Sequence, residues 1–150
     1  MTELQKALHN RAKELVKNEG KEALKPICDL LKENVNHYNW VGFYFMNNEK
    51  QKLEIGPYSG EETPHTTIPF GTGICGQVAL SGETFVVPDV AEQENYLACS
   101  IKTKAELVVP IYKGDVLVGQ LDIDSFHTNP FTKDDEAFLK KLCVLISKAL

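Results

Sequence analysis

Ala105-Glu-Leu-Val-Val-Pro-Ile-Tyr112, Lys113-Gly-Asp115 and Val116-Leu-Val-Gly-Gln-Leu-Asp-Ile-Asp-Ser125 together read as a β-hairpin. Two apolar runs flank a short polar loop with a central glycine. Strand side chains alternate between faces. In the second run Leu117, Gly119, Leu121 and Ile123 form an apolar face suited to a core. Val116, Val118, Gln120, Asp122 and Asp124 form the other, which ends in two carboxylates about 7 Å apart along the strand. A three-residue loop, Lys113–Asp115, with a glycine bulge sets Tyr112 opposite Val116 and Glu106 opposite Asp122. Three carboxylates then share one patch. Like charges that face each other are unfavourable, so the patch calls for a bound cation, a substrate ammonium or a proton on one acid.

Upstream, residues 39–46, Asn-Trp-Val-Gly-Phe-Tyr-Phe-Met, form a further strand bounded by Asn47-Asn48. Val41, Phe43 and Phe45 share its core face. Trp40 and Tyr44 share the other, flanking Gly42, as an aromatic wall suited to an ammonium or alkyl-sulfur group. Residues 52–58 and Phe85–Val87 read as shorter strands, and Gly71-Thr-Gly-Ile-Cys-Gly opens a short helix through Leu80. Residues 88–103 read as a polar loop with room for one helical turn.

Helices close both ends. Thr2 caps the first, with Leu4, Leu8, Leu15 and Val16 on one stripe, and Gly20 ends it. A second spans about Lys21 to Val35, and Pro26 forces a late start or a kink. Thr132 caps the last, with Asp134, Asp135 and Glu136 in its first turn and Phe138, Leu139, Leu142, Leu145, Ile146 and Ala149 on its apolar stripe. The pattern predicts an α+β fold: an antiparallel sheet with the terminal helices on one face.

The 150 residues are 43% hydrophobic and 25% charged, the length and composition of one globular domain, 1–150. A net charge of −5 without a basic cluster argues against nucleic-acid binding. No apolar run is long enough to span a bilayer, and the N-terminus does not resemble a signal peptide, so a cytoplasmic protein without a membrane partner is expected. Cys28, Cys75, Cys99 and Cys143 show no zinc-finger spacing, so no metal is expected and the default is four reduced thiols. Cys28 and Cys143 lie on apolar helix stripes and read as core. Cys75 opens a helix, where the dipole favours thiolate. Cys99 sits in a loop ahead of Lys102 and Lys104 and is the better candidate for reactivity.

Asn39-Trp-Val-Gly-Phe-Tyr44, Ile55-Gly-Pro-Tyr-Ser-Gly60, Ile68-Pro-Phe-Gly-Thr-Gly-Ile-Cys-Gly76, Pro88-Asp-Val90, Leu97-Ala-Cys99, Glu106-Leu-Val-Val-Pro110 and Leu121-Asp-Ile-Asp-Ser125 follow in order. As an ordered set they resemble the free methionine-R-sulfoxide reductases, which are single GAF domains, over about residues 36–150. The resemblance implies a GAF fold with the ligand pocket on the sheet face away from the terminal helices. It implies Cys99 as the catalytic thiol and Cys75 as a second family cysteine. Glu106, Asp122 and Asp124 would hold the substrate ammonium and assist the sulfoxide oxygen, with Trp40 and Tyr44 around the substrate methyl. It implies no organic cofactor, an external reductant such as thioredoxin, and leaves a homodimer open.

The sequence departs from the family in three places. His65 stands where a third cysteine usually resolves the sulfenic acid, Asn95-Tyr96 replaces a Gly-His pair, and Ser100 replaces an acid. Compared with the family, the resemblance implies substrate binding more fully than the resolving step. The alternative of another class is a non-catalytic GAF sensor that binds a small ligand.

Overall fold

Thr2 starts the first helix with a reciprocal cap: its side chain accepts from the Gln5 amide at 3.1 Å, and the Gln5 side chain accepts from the Thr2 amide at 3.0 Å. The computed structural model describes residues 1–97 and 100–150; Cys99, the expected nucleophile, lies outside the described residues. Helix α1, Glu3–Glu19, stops at Gly20, whose φ of 55° suits a residue without a side chain. Its buried arc is Gln5, Leu8 and Ala12. Leu4 falls at the edge of that arc and is 49% exposed, against the expected stripe. A single 3₁₀ turn, Gly20–Ala23, leads into α2, Leu24–Asn34. Pro26 is thereby confined to the first helical turn, where no backbone donor is needed.

Six strands follow: β1 Trp40–Asn47, β2 Lys52–Ser59, β3 Thr67–Pro69, β4 Phe85–Val87, β5 Ala105–Lys113 and β6 Val116–Ser125. They form one sheet in the order β3-β2-β1-β6-β5-β4, and every neighbouring pair is antiparallel. Helix α3, Gly73–Ser81, lies between β3 and β4 in the chain, and α4, Lys133–Ser147, closes it under a Thr132–Asp135 capping box. The three-residue strand β3 was not expected; it is too short to show alternation.

The β5–β6 hairpin corrects the expected register. Lys113 pairs with Val116, so only Gly114 and Asp115 form the turn, and the register then shifts between Ile111 and Tyr112. Tyr112 faces Leu117 while Ile111 faces Gly119, which leaves Val118 as the extra residue of a bulge. Glu106 therefore pairs with Asp124, and Val108 with Asp122, rather than Glu106 with Asp122. The register is offset by two from the expected one, an even number, so the carboxylates still share a face. Val118 does not join them: the bulge turns it onto the helix-covered core.

Each sheet face has its own core. Val41, Phe43, Leu107, Val109, Ile111, Leu121 and Ile123 pack against α1, α2 and α4. Trp40, Tyr44 and Val108 pack on the opposite face with Ile74, Cys75 and Val78 of α3. Among the described residues no helix is long and apolar enough to cross a membrane.

Asp135 ties α4 to the segment entering β1. Its carboxylate accepts from the buried Tyr38 hydroxyl at 2.5 Å and from the Thr132 amide at 2.8 Å, and it lies 3.2 Å from His37 Nε2. Burial acts to raise this carboxyl, but the bonds from His37, Thr132 and Tyr38 outweigh it and hold it below its ordinary value. Its stabilising contribution is therefore complete above the unfolded carboxylate pKa and lost as pH falls through the lower folded value. Asp135→Ala leaves the Tyr38 hydroxyl buried without this acceptor and removes the Asp135 half of the capping box. Urea unfolding at neutral pH is expected to show a loss of about 2–4 kcal/mol, narrowing at strongly acid pH; a loss under about 0.5 kcal/mol, the scatter of a surface change, would contradict it.

Candidate active site

The antiparallel registers bring four sequence-distant segments to one patch. Asp124 lies between Trp40 and Glu106, and Asp122 between Gly42 and Val108. Glu106, Asp122 and Asp124 are 4%, 0% and 1% exposed. All three thus share the face away from the terminal helices, as the strand alternation predicts. Trp40 and Tyr44 stand beside them with ring centroids 6.4 Å apart, and Tyr58 stacks on Trp40 at 5.3 Å. The space at Gly42 is taken by Trp40 itself: a Cβ there would meet the indole Cη2 at 2.4 Å. The polar ends of both rings hold the 60–66 segment. The Trp40 indole donates to the Glu61 carbonyl and the Tyr44 hydroxyl to the His65 carbonyl, each at 2.9 Å.

Cys75 is the third residue of α3 and faces the acids. Its thiol donates to Glu106 Oε2 at 3.7 Å. Gln120, fully buried on the same face, donates its side-chain amide to the Cys75 carbonyl at 3.1 Å and fixes that turn of helix against β6. The alternation placed Gln120 on this face but gave no reason to single it out. Burial pushes the Asp122 carboxyl above its ordinary value, offset in part by Glu106 and Cys75 beside it. A buried carboxyl held protonated can serve as a proton donor. A cavity of about 10 Å³, lined in part by Cys75, Leu97 and Glu106, opens onto this cluster.

The family model described as the GAF domain matches residues 19–150. The chain belongs to the GAF domain family. Over 113 residues it is 41% identical to a free methionine-R-sulfoxide reductase of Saccharomyces cerevisiae, covering 74% of this chain and 62% of that protein. A free methionine-R-sulfoxide reductase of Escherichia coli is 33% identical over 121 residues, which cover 81% of this chain and 72% of that one. The structure of the free methionine-R-sulfoxide reductase from Neisseria meningitidis in complex with its substrate superposes with a TM-score of 0.91. The identity is 32%, over 97% of this chain and 87% of that one. These matches place the chain among the GAF domains of the free methionine-R-sulfoxide reductase family.

In this GAF domain the described residues on either side of 98–99 are anchored. Upstream, Asn95 Oδ1 accepts from the Gly73 amide at 2.8 Å and Nδ2 donates to the Gly71 carbonyl at 2.7 Å. Gln77 donates to the carbonyls of Gly73 and Asn95. Leu97 packs so closely that a Cβ on Gly73 would lie 2.8 Å from its own Cβ. Downstream, Lys102 pairs with Glu61 at 3.0 Å and lies over the Phe126 ring. The Lys102 charge, read from sequence as support for a thiolate, is thus engaged by Glu61. Asn95 was noted only as a departure from the family; its bridge joins segments 22 and 24 residues apart and leaves no local signature. Asn95→Ala removes both bonds and is expected to slow alkylation of the Cys99 thiol by about 10-fold, with Tm lowered by only a few degrees. An unchanged alkylation rate would show that the bridge does not position this segment.

Proposed function

We propose that the protein reduces free methionine-R-sulfoxide to methionine, and that the buried triad of Glu106, Asp122 and Asp124 is the observation that carries this reading. Three acids on one buried patch favour a small ligand bearing its own ammonium. Trp40 and Tyr44 supply an apolar wall for the thioether side. The relatives' names and the substrate complex of the Neisseria neighbour support the same substrate.

The chemistry needs a thiolate and a proton donor. Cys99 Sγ attacks the sulfoxide sulfur while Glu106 or one of the aspartates, held protonated by its neighbours, protonates the oxygen. The oxygen ends on Cys99 as a sulfenic acid, and the substrate leaves as the thioether. A second thiol, Cys75 or an external one, condenses with the sulfenic acid, releases water and leaves a disulfide. A dithiol of the thioredoxin class then reduces it. His65 cannot form a disulfide, so Cys75 is the internal candidate. Turnover of NADPH with thioredoxin, thioredoxin reductase and free methionine-R-sulfoxide tests this proposal; sulfoxide-dependent oxidation is expected. Tight binding without turnover, even with a small dithiol, would favour the second reading, a ligand-binding sensor module, for which His65 in the place of the usual third cysteine is the supporting observation.

A further inference from the structure

We propose that Cys75, Glu106 and Asp122 form a binding site for a borderline-soft divalent cation of the zinc class. One sulfur and two carboxylate oxygens from these side chains all lie within 4.8 Å of one another. The Cys75 Sγ to Glu106 Oε2 separation is 3.7 Å, close to the spacing of about 3.5 Å between a sulfur and an oxygen on one tetrahedral zinc. The donors come from α3, β5 and β6, so no sequence spacing announces them. They are carried by regular elements, and Gln120 pins the Cys75 turn in place.

Asp122 is the second observation. It is fully buried, and the polar groups that act on its carboxylate are Glu106 and Cys75, the other two members of the cluster; among the described residues no group outside the cluster donates to it. One of its carboxylate oxygens points into the cluster. A carboxylate placed so needs a cation or a proton. The donor chemistry selects among cations: a thiolate beside two carboxylates favours zinc or cadmium over magnesium and calcium, which take oxygen donors. Three protein ligands leave a fourth position open. Two of the three are also acids assigned above to the substrate ammonium, so competition between ion and sulfoxide rests on the reductase reading; binding of the ion does not.

Cadmium titration of the reduced full-length protein, followed by the ultraviolet thiolate-to-cadmium absorption, tests the site without turnover. One equivalent is expected to bind in wild type and in Cys99→Ser. Cys75→Ser is expected to lose the absorption and, by competition with a chromophoric chelator, to bind zinc more weakly by over about 100-fold. Asp122→Asn, nearly isosteric, should weaken zinc by at least about 10-fold and decides the matter if Cys75→Ser does not fold. Absence of the band in wild type, or its persistence in Cys75→Ser, would overturn the proposal. In Cys99→Ser, excess free methionine sulfoxide should displace the ion; an intact band that sulfoxide does not diminish counts against the substrate assignment and leaves the ion site standing.

Discussion

Cys99→Ser is expected to lower the rate of methionine formation from free methionine-R-sulfoxide by at least about 10³-fold, measured in a single turnover with no reductant added. A serine hydroxyl is a far weaker nucleophile at neutral pH, and it cannot form the sulfenic acid that keeps the oxygen. The other thiols sort by position. Cys28 and Cys143 lie in the helix-side core, and burial pushes both thiols up, so neither supplies thiolate to the acidic face. Their serine variants should retain the single turnover and lose stability. Cys75→Ser should retain it and slow repeated turnover if Cys75 is the resolving thiol. Full activity of Cys99→Ser would transfer the nucleophile to Cys75, whose thiol already faces Glu106.

Masking the substrate ammonium should be nearly as damaging. N-acetylmethionine-R-sulfoxide, or the same residue inside a peptide, is expected to show kcat/KM reduced by about 10²-fold or more. Glu106, Asp122 and Asp124 are all nearly or wholly buried, so a neutral amide would leave buried acids without their counter-charge. Comparable rates on the free and N-acetylated sulfoxides would remove the triad from substrate recognition, and with it the main reason for preferring a free amino acid. The comparison is informative because the sulfoxide group is the same in both substrates. Only the charge at nitrogen and the bulk beyond it differ.

Much of this site was legible because period-two alternation is a local property. Asp122 and Asp124 share a face whatever the rest of the molecule does, and Trp40 and Tyr44 likewise. Bringing Glu106 to them needed only the parity of a hairpin, not its detail. The detail was misjudged because a two-residue turn plus a bulge and a three-residue turn with a glycine bulge are hard to tell apart in Lys113-Gly-Asp-Val-Leu-Val118. What stayed hidden is non-local. The Asn95 bridge, the Gln120 amide on Cys75 and the meeting of Cys75 with Glu106 each join distant segments. The order of the motifs could announce a family, but not these contacts. The Leu4 stripe failed for a different reason: amphipathicity gives the direction of a helix face but not how far the cover extends towards its end.

The extra residue at Val118 governs how this hairpin can vary in length. Were Val118 paired one-to-one rather than bulged, the turn at Gly114 and Asp115 would set Glu106 across from Ile123, and the charged and oily halves of the two strands would meet. Loss of Val118 alone restores one-to-one pairing and leaves Glu106 across from Asp124, whereas a single residue gained or lost with the turn and the bulge kept in their present form carries Asp122 and Asp124 into the helix-packed interior. Relatives one residue shorter here are expected to lack the bulge, and a transplanted turn must be chosen together with it.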